Sequence, residues 1–207
     1  MKQKIKVCGM KYAANIAAVA ELRPDYLGFI FYEKSPRYIS EVSAELIKYV
    51  PQEIKTVGVF VNEDLETVKA LVQKHYLKAV QLHGNENVDF CKAMKHTGVE
   101  VIKAFGVHPD FDFSILAAYE PAVDYFLFDT QTPAHGGSGK VFDWTLLENY
   151  KLSKPYFLSG GIDLNHAEQI KSINDERLYA VDINSKFEME PGLKDVDKLK
   201  EFFKELN

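Results

Sequence analysis

Cysteine and positive charge are both scarce in this chain. Only two cysteines, Cys8 and Cys91, occur among 207 residues. They lie far apart with no C-x-x-C spacing, so neither a disulfide framework nor a thiolate metal site is indicated. Lys and Arg number 25 against 30 Asp and Glu, a net charge of -5. That balance lacks the basic excess with which nucleic-acid binders neutralise phosphates. No nucleic-acid partner is expected, and any anionic ligand must be held locally. No apolar run approaches the roughly 20 residues that span a bilayer. The basic start Met1 to Val7 leads into structured sequence without the apolar core of a signal peptide. The expectation is a cytoplasmic protein with no membrane segment. The histidines His75, His83, His96, His108, His135 and His166 form no H-x-x-x-H or H-E-x-x-H pattern, so no metal is expected. Low-complexity stretches, linkers and heptads are absent too.

The composition that remains, 46% hydrophobic and 27% charged, suits one globular domain spanning residues 1–207. Eight short β-rich runs recur every 20 to 30 residues or so. They are Ile5 to Cys8, Tyr26 to Phe31, Thr56 to Val61, Ala79 to Leu82, Val101 to Ala104, Tyr125 to Asp129, Tyr156 to Ser159 and Ala180 to Ile183. Helical periodicity occupies Ala14 to Leu22, Ser43 to Tyr49, Leu65 to Lys74, Asp89 to Met94, Ala167 to Ile173 and Val196 to Phe203. Strands that read as continuous apolar runs, alternating with helices, predict an all-parallel sheet covered on its outside. Eight units without an early G-x-G-x-x-G turn favour a closed (β/α)8 barrel over a doubly wound sheet. In such a barrel the chemistry sits at the C-terminal ends of the strands.

Those ends carry reactive groups. Cys8 closes the first strand ahead of Gly9, where it reads either as a general base or as an inert buried thiol. Asp129 ends an apolar run, and a carboxyl at a barrel mouth can serve as an acid, the alternatives being a helix cap or a loop ion pair. Gln81 and His83 end the fourth strand and are expected to face a substrate. Arg37, in Lys34-Ser35-Pro36-Arg37-Tyr38, offers a planar fork suited to a carboxylate, or else lies in solvent. Gly160 and Gly161 follow the seventh strand, and Asp182, Asn184 and Ser185 the eighth, where barrels often bind phosphate through bare backbone N–H groups. The connection Thr130 to Phe142, centred on Gly136-Gly137-Ser138-Gly139-Lys140, is long enough to be a substrate cover or a plain surface loop. Asp143 is expected to cap the helix that begins at Trp144.

From first strand to last the motifs resemble those of the phosphoribosylanthranilate isomerases. They are Lys6-Val7-Cys8-Gly9-Met10, Leu27-Gly28-Phe29-Ile30-Phe31, Ser35-Pro36-Arg37-Tyr38-Ile39, Val57-Gly58-Val59-Phe60-Val61-Asn62, Val80-Gln81-Leu82-His83-Gly84, Phe128-Asp129-Thr130, Gly136 to Lys140, Phe142-Asp143-Trp144 and Leu158-Ser159-Gly160-Gly161. The resemblance implies a (β/α)8 isomerase of tryptophan biosynthesis, monomeric or homodimeric, acting on a small phosphosugar without a cofactor. It implies Cys8 as general base, Asp129 as general acid and Arg37 as partner of the anthranilate carboxylate, with Gly160, Gly161 and the turn Asp182 to Ser185 around the phosphate. One stretch departs from the family, which tends to read Ser-Ser-Gly-Val-Glu where this chain has Asn184-Ser185-Lys186-Phe187-Glu188. Lys186 then either contacts phosphate or points to solvent. A ring-closing indole-glycerol-phosphate synthase would want lysines at strand ends, and a pentose-phosphate epimerase a metal-binding His and Asp set. A non-catalytic phosphosugar-binding module would have no use for both Cys8 and Asp129.

Overall fold

The computed structural model describes residues 3–130 and 141–207. Eight parallel strands close into a barrel in sequence order: β1 (Lys4–Val7), β2 (Tyr26–Ile30), β3 (Lys55–Phe60), β4 (Ala79–Leu82), β5 (Glu100–Val107), β6 (Tyr125–Thr130), β7 (Tyr156–Leu158) and β8 (Leu178–Ile183). Around them run α1 (Ala13–Glu21), α2 (Ala44–Ile47), α3 (Leu65–Lys74), α4 (Val88–Lys95), α5 (Leu116–Tyr119), α6 (Ala167–Lys171) and α7 (Val196–Leu206). All eight expected strands are present, with ends displaced by up to three residues. Cys8 lies one residue past β1, yet its N–H still donates to the Ile183 carbonyl at 2.9 Å, so the thiol is fixed to the sheet.

Side chains alternate across each strand, and in a closed barrel the two faces meet different surroundings. The outward set, including Ile5, Val7, Leu27, Phe29, Phe126, Phe128, Leu158 and Ile183, joins the helices in the main core. The inward set forms a second cluster of Tyr26, Val57, Ala79, Ile102, Leu127, Phe157 and Ala180. Below it the N-terminal end is plugged by polar contacts: Lys4 Nζ donates to the Tyr179 hydroxyl at 2.8 Å, Tyr26 donates to Glu100 at 3.1 Å, and Lys55 pairs with Glu100. Above it the inward positions become the mouth. Two-residue steps run from Lys4 through Lys6 to Cys8, from Tyr125 through Leu127 to Asp129, and from Ala180 through Asp182 to Asn184.

Helix ends follow local chemistry. Asp64, Asn87 and Asp195 cap α3, α4 and α7 by accepting backbone N–H groups, and α7 buries Leu199, Phe202 and Leu206 along one stripe. Each such apolar side chain removed from water stabilises by about 1.5 to 3 kcal/mol. Two regions differ from the periodic reading. The helix expected over Ser43 to Tyr49 is only the four residues of α2, capped by Ser43. After β5 and β6 the described residues form only short 3-10 and one-turn pieces, namely Phe113–Ile115, α5, Glu120–Ala122 and Trp144–Asn149. Pro121 and the brevity of these helical pieces leave no room for a long apolar stripe. Asp143 does cap the last of them, accepting the Thr145 N–H at 3.0 Å.

After β8 comes an element without a clear periodic signal, a small antiparallel hairpin of β9 (Glu188–Glu190) and β10 (Leu193–Lys194) that turns at Gly192 with φ +89. Asn15 of α1 fastens it. Its Nδ2 donates to the Lys194 carbonyl at 2.9 Å, and its Oδ1 accepts the Lys194 N–H at 2.8 Å, all of it buried. Removing that amide strands two buried backbone groups, each costing about 1 to 3 kcal/mol. Asn15→Ala should therefore lower the unfolding free energy by at least about 1 kcal/mol in urea titration. A change below about 0.5 kcal/mol, inside the ordinary scatter of surface substitutions, would show that the hairpin is held by other contacts.

Candidate active site

A cavity of about 490 Å³ opens at the C-terminal ends of the strands, and the ten site residues singled out from sequence all line it. The glycine-rich stretch Gly136 to Lys140 lies outside the described residues.

Cys8 enters from the β1 end, packed against Ile30, Val59 and Tyr32. Gly28 leaves the space it occupies, since a Cβ there would stand 2.8 Å from Sγ. Burial pushes the thiol up from its usual range, the Asp182 carboxylate adds to that, and the Lys6 and Lys194 ammonium groups pull it back. Lys6 is fully buried and pairs with Asp182 at 2.9 Å. These two residues face each other in register across β1 and β8. Burial raises the Asp182 carboxyl and Lys6 lowers it, with burial dominant.

On the β6 side, Asp129 Oδ1 accepts the Thr130 N–H at 2.7 Å, and Oδ2 lies 3.3 Å from His83 Nε2. His83 Nδ1 in turn meets Gln81 Nε2 at 2.9 Å. A Gln81–His83–Asp129 chain therefore runs along the mouth. With Gln81 donating at Nδ1, the imidazole carries its proton on Nε2 and presents it to the carboxylate. Gln81 Oε1 is buried and has no hydrogen-bond partner among the described residues. Left alone, such an acceptor costs about 1 to 3 kcal/mol, so it marks a place where a bound hydroxyl would be welcome.

Gly160 and Gly161 turn the chain after β7 with φ +91 and +64. At Gly160 a Cβ would collide with Thr130 Oγ1 and sit 2.8 Å from Asp129 Oδ1. The glycine is what lets this loop pass beside the carboxyl. Asn184 and Ser185 stand on the loop of the neighbouring strand, β8. Lys186 is exposed and outside the cavity lining, and its carbonyl accepts from Lys198 Nζ at 2.6 Å. The solvent-facing alternative is the one observed.

Arg37 reaches the cavity from the β2 loop, but part of its fork is already engaged. Nε approaches both Glu188 oxygens at 2.9 and 3.0 Å, and Nη2 donates to Oε2 at 2.6 Å. Glu188 Oε1 also accepts from the fully buried Lys194 at 2.6 Å. Lys194 is completed by Asn184 Oδ1 at 2.7 Å. Glu188 and Lys194, like the Lys6 partner of Asp182, carried no role in the sequence reading. A lysine inside the short apolar run Lys4-Ile5-Lys6-Val7 was the available signal for one of them. For the other two it is tertiary, because the hairpin folds back over the mouth. No group of three or more His, Cys, Asp or Glu side chains is placed to hold a metal ion among the described residues.

Comparison with known proteins agrees with this geometry. The family model described as N-(5'phosphoribosyl)anthranilate (PRA) isomerase matches residues 5–205. The N-(5'-phosphoribosyl)anthranilate isomerase of Parabacteroides distasonis is 44% identical over 204 residues, covering 98% of this chain and 92% of its own. Among solved structures, phosphoribosyl anthranilate isomerase from Thermus thermophilus superposes with a TM-score of 0.88 at 27% identity, covering 99% of this chain and 98% of its own. A phosphoribosyl anthranilate isomerase in complex with reduced 1-(o-carboxyphenylamino)-1-deoxyribulose 5-phosphate gives 0.81 at 32% identity, with the same coverage. A closed eight-stranded barrel whose mouth brings a thiol, a carboxyl and a glycine turn to one cavity, matched along nearly its whole length, belongs to the N-(5'-phosphoribosyl)anthranilate isomerase family.

Proposed function

We propose that this chain, as one catalytic domain in the cytoplasm, converts N-(5-phosphoribosyl)anthranilate to 1-(2-carboxyphenylamino)-1-deoxyribulose 5-phosphate in tryptophan biosynthesis. The observation that carries the assignment of roles is the convergence of Cys8 and Asp129, from non-adjacent strands β1 and β6, on a single cavity. Asp129 in its protonated form gives its proton to the ribose ring oxygen. The C1–O bond breaks and the nitrogen lone pair forms an iminium. Cys8 as thiolate then takes the proton from C2, and the C–H electron pair becomes the C1–C2 double bond of an enolamine while the iminium electrons return to nitrogen. Protonation at C1 and loss of the enol proton give the ketone. Nothing is oxidised or reduced overall, and one acid and one base account for every proton moved. Each contributes about 10² to 10⁴-fold.

The rest of the mouth suits the remainder of the substrate. Gly160 and Gly161, with Asn184 and Ser185 on the neighbouring loop, offer backbone N–H groups to the phosphate. Gln81 Oε1 accepts from a ribose hydroxyl, His83 steadies the Asp129 carboxyl, and Asp182 closes the polar wall beneath. Arg37 presents the edge that Glu188 leaves free to the anthranilate carboxylate.

Two outcomes are expected in a fluorescence assay that follows loss of phosphoribosylanthranilate generated in place. Cys8→Ala and Asp129→Asn should each lower kcat by at least about 10²-fold with the fold intact, since each removes a proton-transfer group rather than a packing unit. Near-normal turnover in either variant removes that residue from the mechanism, and wild-type protein no faster than the spontaneous reaction removes the function itself. Arg37→Met should reduce kcat/KM by about 10 to 100-fold, the worth of a charge-assisted hydrogen bond. Gly161→Val should weaken inorganic phosphate binding about tenfold or more in calorimetry, because a β-branched residue resists the positive φ. Unchanged kcat/KM in the first, or unchanged affinity in the second, would place that end of the substrate elsewhere.

A further inference from the structure

The mouth holds two buried ion clusters near Cys8, and they differ in charge. In one, Lys6 and Asp182 face each other at 2.9 Å and cancel. In the other, Arg37 and Lys194 share the single carboxylate of Glu188, at 2.6 Å each. Three ionised groups there leave one positive charge uncompensated. The side chains are 13%, 0% and 4% exposed for Arg37, Lys194 and Glu188, so little solvent reaches them to screen that charge. The cluster also lies against the turn that carries Cys8. Gly9, the next residue, has φ +76, and a Cβ on it would stand 2.7 Å from Arg37 Cδ and 2.7 Å from Asn184 Oδ1, the atom that also accepts from Lys194 Nζ.

We propose that the Arg37–Glu188–Lys194 cluster draws Cys8 toward its thiolate form against the burial that opposes it, with Lys194 as a positioning residue that acts through the thiol and Glu188 as the carboxylate that limits the field. The proposal rests on Cys8 being the working base. The charged groups acting on the thiol are Lys6 from β1, Asp182 from β8 and Lys194 from β10. Ile30, Val59 and the Tyr32 ring, packed on its remaining sides, bring no charge near neutral pH. Lys6 acts most strongly but is largely offset by Asp182, and the hairpin adds Lys194 to the same side as Lys6. The coupling is mutual. Burial lowers the Lys194 ammonium to about 8, while Glu188 and the Cys8 anion both raise it. The role also gives a reason for seating a lysine at full burial on a hairpin outside the barrel.

The test is the pH dependence of Cys8 carboxamidomethylation, followed residue by residue by mass spectrometry in the whole protein, a readout that needs no turnover. Lys194→Met should move the midpoint of the alkylation profile up by about one pH unit or more. Lys194→Arg, which restores the charge, should bring most of it back. Glu188→Gln should move the midpoint down, because it removes the one negative charge between two cations. Mere loosening of the hairpin would shift Lys194→Met and Glu188→Gln in the same direction. Shifts of opposite sign support the proposal. An unmoved midpoint in Lys194→Met, or an upward or absent shift in Glu188→Gln, overturns it. If Lys194→Met does not fold, the sign in Glu188→Gln decides alone. Should Cys8→Ala retain turnover while these shifts appear, the mechanism falls and the charge assignment stands.

Discussion

The barrel closes on a buried ion pair. Lys6 of β1 and Asp182 of β8 are direct partners in the strand register, and their 2.9 Å contact is one that neither group can abandon cheaply. Removing either leaves a buried charge unpaired, at about 3 to 5 kcal/mol. Slipping β1 by one residue would swing Lys6 out among the apolar side chains facing the helices. The pair therefore holds the register at the seam, and the seam holds the site. Two residues beyond Lys6 stands Cys8, and two beyond Asp182 stands Asn184. The alternation that buries Ile5, Val7, Val181 and Ile183 outside is the same alternation that aims the mouth residues inward.

Two aspartates at this mouth have been put to different uses by their surroundings. Asp182 is buried at the wall of the cavity and faces Lys6, where it raises the Cys8 thiol as Lys6 lowers it. Asp129 borders the cavity, takes one backbone N–H, and keeps its other oxygen toward His83. The first is held in its ion pair, and the proposed proton transfer falls to the second. His83 can accompany that proposed transfer because its far nitrogen meets an amide: Gln81 offers a donor to Nδ1 in one orientation and an acceptor in the other. Glycines complete the design by absence. Gly28 admits the thiol, Gly9 admits Arg37 and Asn184, and Gly160 lets the β7 loop pass Asp129.

What could be read from sequence follows the same physics. The eight strands were legible because continuous Val, Ile, Leu and Phe runs such as Phe126 to Phe128 leave no other state that buries them. Cys8, Asp129 and the Gly160-Gly161 turn were legible because their positions at strand ends determine where they face. The crossovers after β5 and β6 were not, since α5 and the 3-10 turn from Trp144 are too short to show a period. Glu188 and Lys194 were invisible for a different reason. They fall outside every expected strand and helix, and the hairpin, tied to α1 through Asn15, folds them against Arg37 beside the cavity. Arg37 lines the cavity, but its engagement with a carboxylate 151 residues away is a fact of tertiary structure.

The central claim is that a thiol at the end of β1 works within this cavity. It is tested most directly by treating the wild-type protein with iodoacetamide and tracking modification of each cysteine alongside turnover, with and without reduced 1-(o-carboxyphenylamino)-1-deoxyribulose 5-phosphate. Cys91 lies on the buried face of α4 and its thiol is pushed up to about 11, so it should react slowly and without consequence. Loss of activity in step with Cys8 modification, slowed by the analogue, is the predicted result. Full turnover with Cys8 completely carboxamidomethylated would contradict it.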